Sequence, residues 1–317
     1  MNSIQTFRGE VDISRLGVTL MHEHIFVRSL EINQNYPESW GDEEARIAAA
    51  IDQLRALKAR GADTLVDLTV PGSGRSIPCI RRIAAEVDLN IIAATGFYIF
   101  RDLPPYLKSR KSPEPLIEMF TRDIVEGIAG TGVKAAILKC ASDSYGITPD
   151  VERVLRATAR VQRATGVPVY THTHARTRGG LEQQRIFEEE GVDLSRVVIG
   201  HCGDTTDMAY LEKLLAKGSC LGMDRFGIDA ILPFEKRVNT VADLCRRGFA
   251  EKMVLSHDAA CYNDWYPEEA AAKAAPRWNF QHIFNDVIPA LKSRGVTDAQ
   301  ISTMLVENPR RIFAGIA

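Results

Sequence analysis

Eight short β-branched or apolar runs recur along the sequence, each followed by a longer stretch with helical spacing, and this alternation limits the available folds more than any other feature. The runs are Val18–Met21, Thr64–Leu68, Asn90–Ala94, Ala135–Leu138, Val167–Tyr170, Val197–Gly200, Ser219–Met223 and Met253–Ser256. They are near-continuously apolar, which predicts strands covered on both faces, as in a parallel sheet joined by crossover helices. The connecting segments agree. Between Glu43 and Arg60, Ile47, Ile51, Leu54 and Leu57 fall at helical steps, with Gly61 as a stop. Thr148-Pro149-Asp150 opens another helix with a cap and an early proline, and Gly166 closes it. Eight βα units predict an α/β fold, a closed (β/α)8 or TIM barrel, in preference to an open doubly wound sheet. The one candidate glycine fingerprint for the open sheet, Pro71-Gly72-Ser73-Gly74, lacks its third glycine.

A length of 317 residues suits two domains or one large barrel. No linker or shift in composition divides the chain, and the Ala-rich stretch 269–275 is too short to mark a boundary, so residues 1–317 read as a single domain. The 39 basic and 41 acidic residues give a net charge of −2 with no block of five or more like charges. That excludes an electrostatic nucleic-acid footprint or a polybasic membrane patch and points to small-molecule partners. No apolar run approaches the ~18 residues of a membrane span, and Met1–Thr6 lacks the pattern of a signal peptide, so the cytoplasm is the expected compartment. The six cysteines form no CxxC pair and read as reduced, space-filling thiols.

The carboxyl ends of barrel strands meet on one face, where polar residues are read as catalytic. Five of the eight runs end in side chains able to bind metal: His22 and His24 after the first, Lys139 after the fourth, His172 after the fifth, His201 after the sixth and Asp258 after the eighth. In His22-Glu23-His24 the two imidazoles share a strand face and can grip one ion, while Glu23 points outward. Each histidine could singly be a satisfied core residue, but that reading has to hold four times over. Lys139 is the least expected member, because a protonated ammonium has no lone pair and repels a cation.

Five segments carry a family likeness: Gly17-Val18-Thr19-Leu20-Met21-His22-Glu23-His24, Leu138-Lys139-Cys140-Ala141, Tyr170-Thr171-His172-Thr173, Ile199-Gly200-His201-Cys202-Gly203-Asp204 and Ser256-His257-Asp258. Nearly end to end, the chain resembles the phosphotriesterase family of the amidohydrolase superfamily, its lactonase branch in particular. The resemblance implies a binuclear metal site. One ion would lie on His22, His24 and Asp258 and the other on His172 and His201, with a hydroxide and Lys139, carboxylated by carbon dioxide, shared between them. Imidazole and oxygen donors suit zinc, the leading expectation, but also iron, cobalt or manganese. In the implied mechanism the hydroxide attacks, one metal stabilises the oxyanion, Asp258 takes up the proton and Asp204 relays it. Asp204 also reads as a turn or N-cap carboxylate ahead of a helix.

The segments 96–100, 224–227 and 261–266 follow the third, seventh and eighth runs, are rich in aromatic residues, and are expected to overhang the metals as an apolar mouth. Here the resemblance assigns Tyr98 to the metal-bound oxygen and the lactone ring, and brings in Arg225 and Trp265 as substrate-binding residues. His174 is expected beside the site or facing solvent rather than in the site, and His257 and His282 are read as structural, His282 within a helix from Trp278 to Leu291. Cys140 and Cys202 are expected to face away from their neighbouring ligands, and Trp278 to anchor the last loop. The implied function is lactone hydrolysis, acyl-homoserine lactones and hence quorum quenching included, with promiscuous phosphotriesterase activity. A primary phosphotriesterase, a cyclic-amide hydrolase and a metal-binding barrel without turnover are the alternatives. The family also implies a homodimer.

Overall fold

Every one of the eight apolar runs becomes a parallel strand in the computed structural model, which describes residues 2–315. They are β1 (Thr19–Val27), β2 (Thr64–Asp67), β3 (Asn90–Gly96), β4 (Ala135–Ala141), β5 (Val169–His172), β6 (Val197–Ile199), β7 (Cys220–Met223) and β8 (Met253–Leu255). A further short strand, β9 (Ala260–Asn263), continues the direction of β8 after an interruption around Asp258. Neighbouring strands pair in chain order, and β9 pairs in parallel with β1, Ala260 opposite His24. The seam is closed by the N–H of Asp258 donating to the His22 carbonyl at 3.1 Å and that of His24 donating to the Ala259 carbonyl at 2.8 Å. The sheet is therefore a closed barrel of the expected class.

Successive residues of each strand serve two different cores. Met21, Val66, Ile92, Ile137, Val198 and Val254 point inward, where Ile4, Ile13, Leu16, Ile312 and Phe313 join them. The N-terminal residues reach that place through a hairpin, Ser3–Thr6 against Gly9–Asp12, whose turn residue Phe7 donates its N–H to the Ile91 carbonyl near the start of β3. Nothing in the periodicity of residues 2–16 announces this plug. Leu20, Leu65, Ile91, Leu138, Ile199 and Leu221 point outward under the helices. Burying one such side chain contributes about 1.5–3 kcal/mol, so a strand apolar on both faces is satisfied only between an inner and an outer layer.

The helix α1 (Glu43–Ala59) matches its expected span, with Asp42 capping the N–H groups of Glu44 and Ala45 and Ile47, Leu54 and Leu57 buried. In α2 (Pro149–Thr165) Thr148 caps Val151 and Gly166 ends the helix in the left-handed conformation, φ 75°. The helix expected over Trp278–Leu291 is shorter at its start: residues 276–281 are turns and irregular backbone, and a π-helical stretch, Ile283–Val287, precedes Ile288–Ser293. Pro289 explains the widening, since it has no N–H for the carbonyl one turn earlier and its ring crowds that carbonyl. The same device recurs ahead of Pro309, where Thr303–Glu307 is π-helical. Among the described residues no helix is long and apolar enough to cross a membrane. All six cysteines are free, and only Cys261 is not fully buried.

Candidate active site

The first strand departs from expectation in a way that matters for the site. It runs on past Met21 to Val27, so His22, Glu23 and His24 lie within the strand instead of after it. Its register against β2 slips between Leu20 and Glu23, a bulge that re-aims the side chains beyond it. His22 and His24 then share the inner face as their spacing requires. Two other site residues, His201 (φ 59°) and Asp258 (φ 55°), have left-handed backbone conformations that only a few per cent of non-glycine residues adopt.

The structure brings the six expected metal-binding side chains into one cluster. Lys139 Nζ lies 3.0 Å from His22 Nε2, and Asp258 Oδ1 lies 3.2 Å from His22 Nε2 and 3.1 Å from His24 Nε2. His201 Nε2 and His172 Nδ1 are 2.9 Å apart, and Asp258 Oδ2 is 3.8 Å from His201 Nε2. All are buried except Asp258, which is partly so. Burial holds His201 well below its ordinary pKa, brings His172 down to about 4 and lowers Lys139 to about 8.

Each imidazole is held from behind by an oxygen. Asp224 lies 2.9 Å from Nδ1 of both His22 and His201 and accepts the His201 N–H at 2.8 Å and the Tyr170 hydroxyl at 2.6 Å. Burial acts to raise its carboxyl, but the flanking His201 and His22 more than offset that and hold it well below the usual carboxylate range. His24 Nδ1 is 2.8 Å from the Thr69 hydroxyl, which donates to Asp67 at 2.5 Å. His172 Nε2 is 2.9 Å from Asp143 Oδ2. These acceptors place the ring protons on the far side of all four rings and leave bare lone pairs converging at the front. Two neutral imidazoles presenting lone pairs to one another at 2.9 Å repel unless a cation lies near them. The donor set therefore fits divalent ions, with the oxygen partners behind it that metal-bound histidines need. Two groupings have donor atoms close enough to share an ion, His22 with His24 and Asp258, and His22 with His201 and Asp224. Asp224 already receives four hydrogen bonds, so it orients the rings from behind.

Above the cluster lies a cavity of about 440 Å³, within the range of small-molecule sites of roughly 300–1,000 Å³. His22, His24, His172 and Asp258 form its polar end, and Tyr98, Phe100, Ile228, Ile231, Trp265 and Trp278 are among its apolar walls. The Tyr98 hydroxyl is 3.3 Å from His172 Nδ1, and burial pushes its pKa well above the ordinary value, so it remains a hydrogen-bond donor. Tyr98 and Trp265 face each other with ring centroids 5.6 Å apart. Arg225 donates from Nε to Asp258 Oδ2 at 2.9 Å and from Nη1 to Asp204 Oδ2 at 3.1 Å. Asp204 thus does not touch Asp258, because a guanidinium stands between them. Nor does it cap the next helix, Met208–Ala216, which Asp207 caps.

The remaining sequence expectations fall outside the cluster. His174 turns to the Thr177 hydroxyl at 3.3 Å, and His282 lies beside Asp286 at 2.7 Å. Cys140 packs in the outer core, and the Cys202 thiol donates to the Ile199 carbonyl at 3.1 Å. His257 is structural in an informative way. Glu23, expected to point outward, is fully buried and accepts the His257 and Ala259 N–H groups at 2.9 and 3.0 Å and His257 Nδ1–H at 2.7 Å. Trp278 Nε1 donates to the His257 and Asp258 carbonyls at 3.0 and 3.1 Å, which makes it the anchor expected of it. Together these bonds fix the strained backbone that presents Asp258. Asp224 and Asp143 escaped sequence reasoning. Asp224 carries the same signal as the others, a polar residue directly after a barrel strand, whereas Asp143 sits in a turn with no such mark.

A closed (β/α)8 barrel with imidazole, amine and carboxylate donors converging at the carboxyl ends of its strands defines a metal-dependent hydrolase. The Phosphotriesterase family pattern matches residues 2–313, and the chain belongs to that family of binuclear metal hydrolases. It is 61% identical to a phosphotriesterase homology protein of Mycobacterium tuberculosis over 99% of this chain and 98% of the relative. It is 41% identical to an aryldialkylphosphatase of Saccharolobus solfataricus, covering 97% and 98% of the two chains. A solved structure of the phosphotriesterase from Mycobacterium tuberculosis superimposes with a TM-score of 0.97 at 62% identity, over 98% of each chain.

Proposed function

We propose that this hydrolase opens lactone rings, acyl-homoserine lactones among them, and cleaves phosphotriesters as a side activity. The observation that carries the reading is the largely apolar cavity of about 440 Å³ floored by the donor cluster. A small cyclic ester with an acyl tail has that balance of one reacting polar group and much apolar surface. We assign His22, His24 and Asp258 to one divalent ion and His172 and His201 to the other. Zinc is the metal we expect, and Lys139 is shared as a carbamate. An amine with a pKa of about 8 is neutral in about one chain in ten at pH 7, and only a neutral amine attacks carbon dioxide. The chemistry that two such ions supply when bound is a water acidic enough to attack near neutral pH and a Lewis-acid partner for the developing oxyanion.

The protein's own groups do the rest. Asp258 accepts the proton released during attack. The Tyr98 hydroxyl donates to the substrate's acyl or ring oxygen, and Trp265 and Phe100 hold the ring against it by apolar contact. Arg225 keeps Asp258 aimed at the cluster. An arginine does not release protons in this pH range, so in this reading Asp204 holds Arg225 rather than relaying a proton through it. Six free thiols suit a reducing compartment, and we place the protein in the cytoplasm. The test is a comparison of kcat/KM for a medium-chain acyl-homoserine lactone and for paraoxon on metal-loaded enzyme. The lactone is expected to exceed paraoxon by a wide margin. The opposite ranking would make the protein a primary phosphotriesterase.

A further inference from the structure

Arg237, on helix α3 (Phe234–Arg246), heads the fully enclosed side chains by size, at 1% exposure. Burying a guanidinium is costly unless its donors are matched, and the partners of this one lie on two separate segments. Nη1 donates to the Gly203 carbonyl at 2.9 Å and to Asp204 Oδ1 at 2.6 Å, in the segment after β6. Nε donates to the Leu232 carbonyl at 3.1 Å and Nη2 to the Ile228 carbonyl at 3.2 Å, in the segment after β7. The second segment supplies Ile228 and Ile231 to the cavity wall. The first supplies Asp204, whose other oxygen takes Arg225 at 3.1 Å, and Arg225 in turn holds Asp258 at 2.9 Å.

We propose that Arg237 is a positioning residue for the hydrolytic reaction. It sets the cavity wall through the Ile228 and Leu232 carbonyls and sets the aim of Asp258 through Asp204 and Arg225. The two actions leave by different arms of the same guanidinium, so they are separable. A lysine keeps the positive charge facing Asp204 but, as a single point of charge, cannot reproduce the planar fork that also reaches the Ile228 and Leu232 carbonyls. A glutamine keeps neither the charge nor the fork.

The experiment compares Arg237→Lys and Arg237→Gln, alone and with Asp204→Asn, in metal-loaded enzyme. The substrate is whichever lactone or phosphotriester the parent turns over fastest, so failure of the lactone reading leaves this test standing. For Arg237→Lys the expected result is a KM raised about tenfold with kcat within about threefold of the parent. Arg237→Gln is expected to raise KM similarly and to lower kcat at least tenfold. Beside Asp204→Asn, Arg237→Gln should lower kcat by less than threefold further while still raising KM. The proposal is overturned if Arg237→Lys leaves KM unchanged. It is overturned equally if both variants lose kcat together, or if the kcat losses of Asp204→Asn and Arg237→Gln multiply. Should Arg237→Gln fail to fold, the KM and kcat of Arg237→Lys decide alone.

Discussion

Replacing Asp224 by asparagine changes almost no volume and removes one acceptor oxygen from a site where four donors converge. In either orientation of the new amide, its NH2 faces two groups that need an acceptor. These are the Tyr170 hydroxyl with His22 Nδ1, or the His201 N–H with His201 Nδ1. An unmatched buried donor costs about 1–3 kcal/mol, so two predict a loss of about 2–6 kcal/mol of stability. A ring can escape by moving its proton to the front nitrogen, but that nitrogen is then no longer a lone pair for an ion. Oxygen partners behind metal-bound histidines are worth about 10–100-fold in affinity, equivalent to about 1.4–2.8 kcal/mol. Asp224→Asn is therefore expected to lower both the urea midpoint and the metal affinity, read by competition with a chelator of known strength. Tyr170→Phe, which removes one donor and leaves Asp224 three, should lower stability by about 1 kcal/mol and leave affinity nearly intact. An Asp224→Asn protein with metal affinity within threefold of the parent and an unchanged urea midpoint would refute the assignment of ring protons on which the donor set rests.

Lys139→Ala should emerge from purification with less than half the parent's metal by elemental analysis and lose most hydrolytic activity; unchanged metal content would remove the shared lysine from the site. At Gly72, φ is +98° and a Cβ would overlap the Tyr98 carbonyl oxygen. Gly72→Ala is therefore expected to cost about 1–3 kcal/mol in urea denaturation and to raise KM, because the turn also receives the Tyr98 N–H at the Pro71 carbonyl, 2.9 Å away. Glu190 is held below its ordinary pKa by hydrogen bonds from Arg160 and Arg156, against a smaller opposing effect of burial. A depressed folded pKa gives stability that is present above the unfolded value of about 4.3 and is lost as pH falls through the folded value. Urea midpoints of the parent should thus fall more steeply below about pH 4.3 than those of Glu190→Gln, and parallel slopes would refute this.

The barrel was legible because its strands are apolar on both faces and few folds can cover both. The cluster was legible for a related reason: a charged or imidazole side chain directly after such a strand has nowhere to point but the open end. That logic applies equally to Asp224, which directly follows β7, yet it reads in sequence as part of an aromatic loop. Asp143 and Arg237 follow a different logic. Asp143 reaches His172 from a turn, and Arg237 reaches Asp204 from a helix 33 positions away, so neither has a spacing that sequence can register. Glu23 was placed on the correct strand face, but what covers that face is the backbone of residues 257–259, a long-range contact invisible to local pattern. The π-helical turns follow from Pro289 and Pro309 and could have been read from them.

The last strand does not simply lie down beside the first. It is interrupted where Asp258 turns inward: ahead of that turn the Ser256 hydroxyl accepts the His22 N–H, 234 positions away in the chain, and beyond it β9 pairs with β1. The stitch that fastens the cylinder and the point where it works on a substrate thus share one address. Remodelling the strands there to admit a new ligand also tugs on the fastening. The freedom to reshape the pocket lies instead in the flap beyond Asn263, which hangs from the finished hem.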